Sequence, residues 1–179
     1  MSKFFGGIHP RSLKNLTYDK PIKRPFIPKK VVLPLLQHVG ASAEPVVSVG
    51  DMVALGQVIG KESGFISSPV HATITGKVIS IAPSPTPVHG SVISVTIEAQ
   101  PSQDQAFKPV SRDFLALSNE EIINAIKEAG IVGLGGAAFP THVKLSPPKG
   151  KKIYSLILNG AECEPYLTCD HRIMLEKPK

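Results

Sequence analysis

The sequence predicts an α+β protein in two parts: a small all-β barrel or sandwich, followed by the start of an α/β domain. Between residues 45 and 99, short runs rich in β-branched residues are separated by glycine turns, which is typical of small barrels and sandwiches. After residue 117, a helix signal, a glycine-rich loop and a continuous apolar run follow one another, the order expected of an α/β domain. A chain of 179 residues is long enough for two small domains of this kind.

Residues 1–30 are predicted to form a basic extended arm. They contain eight Lys and Arg against one Asp, about +7, so the rest of the chain, whose overall formal charge is +6, is close to neutral. The arm is rich in Pro and Lys and shows no periodicity, which predicts an extended segment wrapping another surface. The candidate surfaces are an anionic membrane and an acidic partner protein of the same assembly, and a simply solvated arm is the alternative. Nucleic acid is the least supported partner, because no binding motif is present.

Residues 31–100 are predicted to form the β domain. The apolar run at 31–36 is interrupted by Pro34, which indicates an edge strand. The run VVSVGDMVALGQVIGK is bounded by glycines and predicts a hairpin, and a second turn is expected at Gly76. The polar run QPSQDQ that follows places the interdomain linker at residues 101–110.

Residues 111–179 are predicted to begin an α/β domain. Ser118 and Glu121 have the spacing of a capping box at a helix start, and Gly130 ends that helix. The run IYSLIL at 153–158 is continuously apolar, which predicts a parallel strand covered on both faces. About 70 residues are few for a doubly wound sheet, so we expect a truncated domain.

The glycine-rich stretch IVGLGGAAFPTHVK at 131–144 is the first candidate site. Gly133, Gly135 and Gly136 allow backbone amides to approach an anion closely, and Lys144 can add a cation. The stretch does not fit the dinucleotide fingerprint, because an alanine replaces the third glycine, and it lacks the Gly-Lys-Ser/Thr of a Walker A loop. A tight connection between a helix and a loop is the alternative interpretation.

Metal and membrane signals are absent from the sequence. Cys163 and Cys169 do not have a zinc-binding spacing and are expected to be free thiols, and the six histidines show no ligand spacing. No apolar run approaches the roughly 18–20 residues of a membrane span, and the N-terminus lacks the apolar region of a signal peptide. We therefore expect a cytoplasmic protein without a transmembrane segment.

The hairpin V-G-D-x-V-x-x-G-Q-x-I at residues 49–59 resembles the biotinyl/lipoyl-type barrel–sandwich hybrid module. In that module a carrier lysine lies exposed at a tight turn between the two halves. The matching region here, KESGFISSPV, has no Met-Lys-Met or Asp-Lys-Ala, and Lys61 is at the end of a predicted strand. A structural or docking role is therefore expected rather than a carrier role.

Two further motifs resemble electron-transport proteins. GxGGAxFPTxxK at 133–144, followed by NxxExEP at 159–165, looks like the flavin- and NADH-binding subunit of respiratory complex I. The form GIVGLGGAAFPTHVKL with LNGAECEP, together with the opening GGIHP, is most similar to the C subunit of the Rnf electron-transport complex. The A subunit of the Na⁺-translocating NADH:quinone reductase shares this domain order and remains an alternative.

The resemblance implies a noncovalent FMN and a site for NADH. The residues it places on FMN are Gly133, Gly135, Gly136, Lys144, Asn159, Glu162 and Cys163. The residues it places on the NADH side are Phe139 and Glu164. No catalytic side chain is predicted, because the hydride chemistry belongs to the cofactor. Ala161 departs from the complex I pattern, which has an acidic residue there.

The same resemblance implies a peripheral electron-input subunit of a membrane-bound, ion-translocating NADH:ferredoxin oxidoreductase. It would contact other Rnf subunits on the cytoplasmic side of the cell inner membrane. Two 4Fe–4S clusters are expected only in a full-length chain, because no C-x₂-C-x₂-C-x₃-C-P run is present. We therefore expect this fragment to be inactive alone, and a non-catalytic docking or scaffold module is the alternative.

Overall fold

The computed structural model describes residues 8, 10–23, 26–101, 113–148 and 150–178. By packing, the chain divides into two compact units: Ile27–Lys151, and a second unit made of Met1–Phe26 with Lys152–Lys179. The predicted boundaries at residues 31, 101 and 111 were drawn from composition and differ from this division. The proposed linker at 101–110 lies outside the described residues except for residue 101.

The unit Ile27–Lys151 contains two antiparallel sheets. One has the strand order β1-β7-β6-β3 and the other β2-β4-β5. The strands are β1 (Lys30–Pro34), β2 (Glu44–Pro45), β3 (Met52–Val53), β4 (Val58–Lys61), β5 (Val70–His71), β6 (Gly76–Thr86) and β7 (Gly90–Ala99). This arrangement of short strands confirms the predicted barrel–sandwich, and β1, which ends at Pro34, is at a sheet edge as predicted.

Alternating side chains build the core between the sheets. Val95 and Ile97 on β7 and Val78 on β6 are fully buried, whereas Glu98 and Lys77, one position along the two strands, are exposed. Each fully buried Val or Ile contributes roughly 1.5–3 kcal/mol. The core consists of Leu35, Ala43, Val53, Ile59, Val70, Ala72, Ile74, Val78, Val95 and Ile97.

Helix α1 (Asn119–Glu128) begins and ends where the sequence predicts. The Glu121 amide donates to Ser118 Oγ at 3.3 Å, and the Ser118 amide donates to Glu121 Oε2 at 2.8 Å, which completes the capping box. Gly130 follows with a φ of +67°, the left-handed conformation of a helix-terminating glycine. Helix α2 (Thr141–Lys144) is a single turn.

The prediction of a strand at 153–158 is wrong. The structure assigns no strand there, and Tyr154, Ile157 and Leu158 are 88%, 86% and 87% exposed. A strand covered on both faces needs hydrogen-bonded neighbours and packing layers on each side. Within the described chain these six residues have no sheet partner. They therefore form no strand, although the run is apolar and of strand length.

The second unit joins the predicted arm to the C-terminal segment. A 3₁₀ turn (Lys14–Leu16) lies in the arm, and helix α3 (Cys169–Glu176) lies in the C-terminal segment. The described arm residues 10–23 make hydrogen bonds to residues 162–176 of the same unit. None of the helices in the described ranges is both long and apolar enough to cross a membrane.

Candidate functional site

The glycine-rich stretch forms a narrow closed loop in the unit Ile27–Lys151. Val132 and Pro140 form an antiparallel bridge at its base. The Gly133 amide donates to Phe139 O at 2.9 Å, and the amide of the residue after Pro140 donates to Ile131 O at 3.0 Å. These bonds join the two sides of the loop at its base, and residues 134–138 form its tip.

The three glycines act by leaving space rather than by adopting positive φ. In the loop the left-handed conformation belongs to Ala138, with a φ of +45°. A Cβ at Gly135 or Gly136 would meet no atom within 4 Å, so their backbones face open space. Neither of their amides has a hydrogen-bond partner within the described residues, so both can approach an anion.

The structure brings Lys144 to the loop. A Cβ at Gly133 would lie 2.6 Å from Lys144 Nζ and 3.6 Å from Phe139 O. Lys144 is the last residue of α2, so the single helical turn returns its ammonium to the start of the glycine loop. A side chain at position 133 would therefore displace the end of this exposed lysine. Phe139 itself lies at the base of the loop and is half-buried.

The β domain supports the loop through contacts that the sequence did not predict. The Val39 amide, in the turn that follows β1, donates to Ala137 O at the loop tip at 3.1 Å. The Cα of Gly130 faces Pro69 O and the His71 ring, since a Cβ there would lie 2.8 Å and 3.1 Å from them. No residue pattern marks such contacts, because they join segments distant in sequence.

A salt bridge reinforces the same contact. Lys127 Nζ on α1 lies 3.0 Å from Glu62 Oε1, just after β4. Desolvation acts to raise the pKa of Glu62, but the hydrogen bond and charge of Lys127 outweigh it, so this pKa lies below its ordinary value. The pair attaches α1, the helix that leads into the glycine loop, to the β domain.

The second motif lies in the other unit and is largely committed to local hydrogen bonds. Asn159 Oδ1 accepts from the Ala161 amide at 3.0 Å, an Asx turn. Glu162 Oε1 accepts from the Asp170 amide at 2.8 Å, in the first turn of α3. The neighbouring Cys163 is an exposed free thiol, as predicted, and Glu164 is exposed.

Three potential ligand groups meet beside this motif, which the sequence analysis did not single out. Glu162, Cys169 and Asp170 each offer one ligand atom, all within 4.8 Å of one another. Desolvation, followed by the hydrogen bond to Glu162 and the charges of both carboxylates, raises the pKa of the Cys169 thiol. The thiol is therefore protonated at neutral pH, and one carboxylate oxygen is already bonded to α3.

The comparison with family models decides the ancestry of the β domain. The model of the RnfC barrel sandwich hybrid domain matches residues 2–102, more than half of the chain. The chain belongs to the RnfC family. The model of the Nuo51 FMN-binding domain matches residues 126–179, which include both the glycine loop and the second motif. The predicted fold and the predicted resemblance to the C subunit of the Rnf complex are thus confirmed.

Relatives of this RnfC chain are named as components of ion-translocating complexes. It is 48% identical over 178 residues, 98% of the chain, to the C subunit of the proton-translocating ferredoxin:NAD(+) oxidoreductase complex of Clostridium ljungdahlii. It is 45% identical over 96% of its length to the C subunit of the Na(+)-translocating complex of Acetobacterium woodii. The C subunit of the ion-translocating oxidoreductase complex of Rhodobacter capsulatus is 44% identical over the same share. The matched regions make up 39%, 39% and 34% of these relatives.

The glycine loop of this RnfC chain suits the phosphate end of an FMN. A phosphate dianion needs amides that are free and accessible, and those of Gly135 and Gly136 face open space. It also needs a cation beside them, and Lys144 Nζ lies against Gly133. The second motif also retains groups that can bind a ligand. The side-chain nitrogen of Asn159 and the exposed Glu164 carboxylate have no hydrogen-bond partner in the described residues.

Proposed function

We propose that this RnfC-family chain supplies the FMN-binding, electron-input part of an ion-translocating ferredoxin:NAD⁺ oxidoreductase. The observation that carries the proposal is the position of the Lys144 ammonium beside Gly133, inside the segment matched by the Nuo51 FMN-binding model. The relatives named as C subunits of such complexes support the same assignment. NADH is the proposed electron donor.

The glycine loop holds the phosphate and ribityl chain of FMN in this proposal. Gly135 and Gly136 supply the accessible amides, and Gly133, whose own amide is bonded to Phe139 O, leaves room for the positive charge of Lys144. The resemblance assigns Asn159, Glu162 and Cys163 to the flavin, and Phe139 and Glu164 to NADH. When bound, the flavin accepts a hydride and releases single electrons. The residues of the chain bind and orient the two cofactors and exclude water from between them.

The Glu162 side chain is fixed by the protein and is not free to turn toward a cofactor. Its carboxylate accepts from the Asp170 amide, so one oxygen is fixed on the first turn of α3. The backbone amides of Cys163 and Glu164, which have no hydrogen-bond partner in the described residues, remain for the flavin. Cys163 and Glu164 follow directly and are exposed, so they are placed by the turn and not by contacts of their own.

The wider assembly follows from the names of the relatives. They are components of multi-subunit complexes, so partner subunits of the same complex are proposed for this chain. The proposed location is peripheral, on the cytoplasmic side of the inner membrane. Two 4Fe–4S clusters would receive the electrons, with ligands from outside these 179 residues, which contain two cysteines.

Titration of the chain with FMN, followed by flavin fluorescence, tests the proposal. Lys144→Met should weaken binding by about tenfold to a hundredfold, because a charge-assisted hydrogen bond contributes roughly 1.5–3 kcal/mol and about 1.4 kcal/mol is tenfold. Gly135→Val should also weaken it, because its side chain enters the open space over the loop. Lys151→Met, at an exposed lysine of the same unit, is the matched control and should bind FMN normally.

The outcomes separate clearly. If Lys144→Met and Gly135→Val bind FMN as tightly as the parent chain, the loop is not the phosphate site. In the intact complex, NADH should bleach the absorbance of the bound flavin. A flavin that NADH leaves oxidised would contradict the proposed electron donor.

A further inference from the structure

We propose that Lys14 of the N-terminal arm is a positioning residue, which fixes the turn that carries Glu162, Cys163 and Glu164. The consequence for cofactor binding rests on the proposed function, whereas the structural role of Lys14 does not. The arm thus uses one of its cations inside the protein, although its charge pattern indicated a surface for partners or membranes.

The ammonium of Lys14 connects the two ends of the turn. Lys14 Nζ donates to Glu162 O at 2.5 Å and to Leu167 O at 3.0 Å. These carbonyls lie five residues apart in the chain, so one cation closes the loop between them. Lysine suits this position because it has three donors on a flexible stem and bonds several carbonyls at once.

The neighbours of Lys14 hold the middle of the same turn. Thr17 Oγ1 donates to Tyr166 O at 2.6 Å, and the Tyr166 amide donates to Ser12 O at 2.9 Å. Tyr166 has a φ of +65°, a left-handed conformation that is unfavourable for a non-glycine residue. Such a conformation persists when the surrounding structure fixes it, and the arm supplies these bonds.

A second set of bonds attaches the arm to α3. The Ile22 amide donates to the Glu176 carboxylate at 3.1 and 3.2 Å. Arg172 donates to Tyr18 O at 3.1 Å and also pairs with Glu176 on the same helix. Because Glu162 caps the first turn of α3, the arm, the turn and the helix form one connected network.

The network explains how a distant lysine affects the cofactor residues. Cys163 and Glu164 are exposed and have no side-chain hydrogen-bond partner in the described residues, so their position depends on the backbone of the turn. Without Lys14, the carbonyls of Glu162 and Leu167 lose their common donor, and the turn can open. Cofactor affinity then falls through lost geometry, since Lys14 is bonded to carbonyl groups of the protein.

Amide hydrogen exchange of the 179-residue chain, read by mass spectrometry, tests the structural step without any cofactor. Lys14→Met keeps most of the stem and removes the donors. It should speed exchange at residues 162–170, where the amides of Tyr166 and Asp170 are hydrogen-bonded, about tenfold. Lys20→Met is the matched control, because Lys20 is exposed and its ammonium pairs with Asp19. Unchanged exchange at 162–170 in Lys14→Met would overturn the proposal.

Two further variants keep the test decisive if Lys14→Met folds poorly. Thr17→Val removes one hydroxyl from the same turn and should speed exchange at 162–170 by a smaller factor. Lys14→Arg retains the charge and several donors and should restore much of the protection. Normal exchange in Thr17→Val together with no rescue by Lys14→Arg would show that the arm does not hold the turn.

FMN titration then tests the functional consequence. Lys14→Met should weaken FMN binding severalfold and alter the visible absorbance bands of the bound flavin, and Lys14→Arg should restore both. Faster exchange with unchanged affinity and spectrum would limit Lys14 to a structural role and overturn its effect on the site. If the parent chain itself does not bind FMN, the proposed function fails while the exchange result still stands.

Discussion

At the scale of single residues, Gly133 and Lys144 show how the loop is adapted to an anion. The lysine ammonium occupies the space where a side chain at position 133 would lie, 2.6 Å from an added Cβ. Gly135 and Gly136 are close to this lysine in sequence, and their backbones face open space. Charge and accessible amides therefore arise from one short stretch, in which Gly133 leaves room for the lysine and Gly135 and Gly136 leave their amides open.

Lys127 and Glu62 give a pH-dependent prediction at the same scale. Their side chains are 36% and 23% exposed, so the pair contributes about 0.5 kcal/mol to the free energy of unfolding. Because the pKa of Glu62 is lowered in the folded chain, this contribution is present above the unfolded pKa and is lost as pH falls through the folded pKa.

Urea unfolding of Lys127→Met should therefore show a loss of about 0.5 kcal/mol at neutral pH that disappears as the pH falls through the lowered folded-state pKa of Glu62. Glu62→Gln should show a similar loss at neutral pH. The double variant should lose no more than either single variant, because one interaction is removed in each case. A loss that persists unchanged at low pH would mean that packing of the Lys127 stem, and not the ion pair, is responsible.

At the scale of elements, the hairpin of β6 and β7 depends on Gly76. A Cβ there would lie 2.1 Å from the backbone oxygen of Glu98 and 2.9 Å from a methyl group of Ile97. Because the nearest atom is backbone in the paired strand, it cannot move aside as a flexible side chain would. Gly76→Ala should therefore lower the free energy of unfolding by about 2 kcal/mol or more.

Gly64→Ala is the control for that prediction. Its Cβ would meet the nearest atom, Ala41 Cβ, at 3.6 Å, and we expect a change within about 0.5 kcal/mol. Denaturant midpoints of both variants measure the difference. Equal midpoints would show that the β7 strand can shift away from Gly76 without cost.

The success of sequence-based prediction at this scale depended on how local each signal is. Alternation and glycine turns fix a hairpin within a few residues, so the β domain was predicted, and the Ser118 capping box needs four consecutive residues. The run at 153–158 failed because a buried strand is defined by its neighbours, and the described chain gives it none. Apolar character alone specifies what a segment can bury and not what covers it.

At the scale of the whole molecule, the candidate site was predictable as two motifs but not as a supported structure. Both motifs were found from residue order, together with Lys144 as the cation. The Val39 bond to the loop tip and the Lys14 bonds to the second motif join segments about 100 and 150 residues apart. Such long-range contacts depend on chain topology, which a local pattern does not encode.

The arm consequently has two kinds of cation, and a vesicle-binding experiment separates them. Lys14 is bonded within its unit, whereas Lys20 and Lys23 of the same unit, and Lys29 and Lys30 of the unit Ile27–Lys151, are exposed. Each exposed lysine near an anionic membrane contributes about 1 kcal/mol, and this attraction is screened beyond about 10 Å at 0.1 M salt. If the arm docks on an anionic surface, the chain should sediment with phosphatidylserine vesicles at low salt and be released at high salt.

Replacing the four exposed lysines by glutamine should abolish this binding, and Lys14→Met should retain most of it. Binding that is insensitive to salt, or retained by the quadruple variant, would contradict an electrostatic docking role and leave the arm as a support for the turn at 162–167.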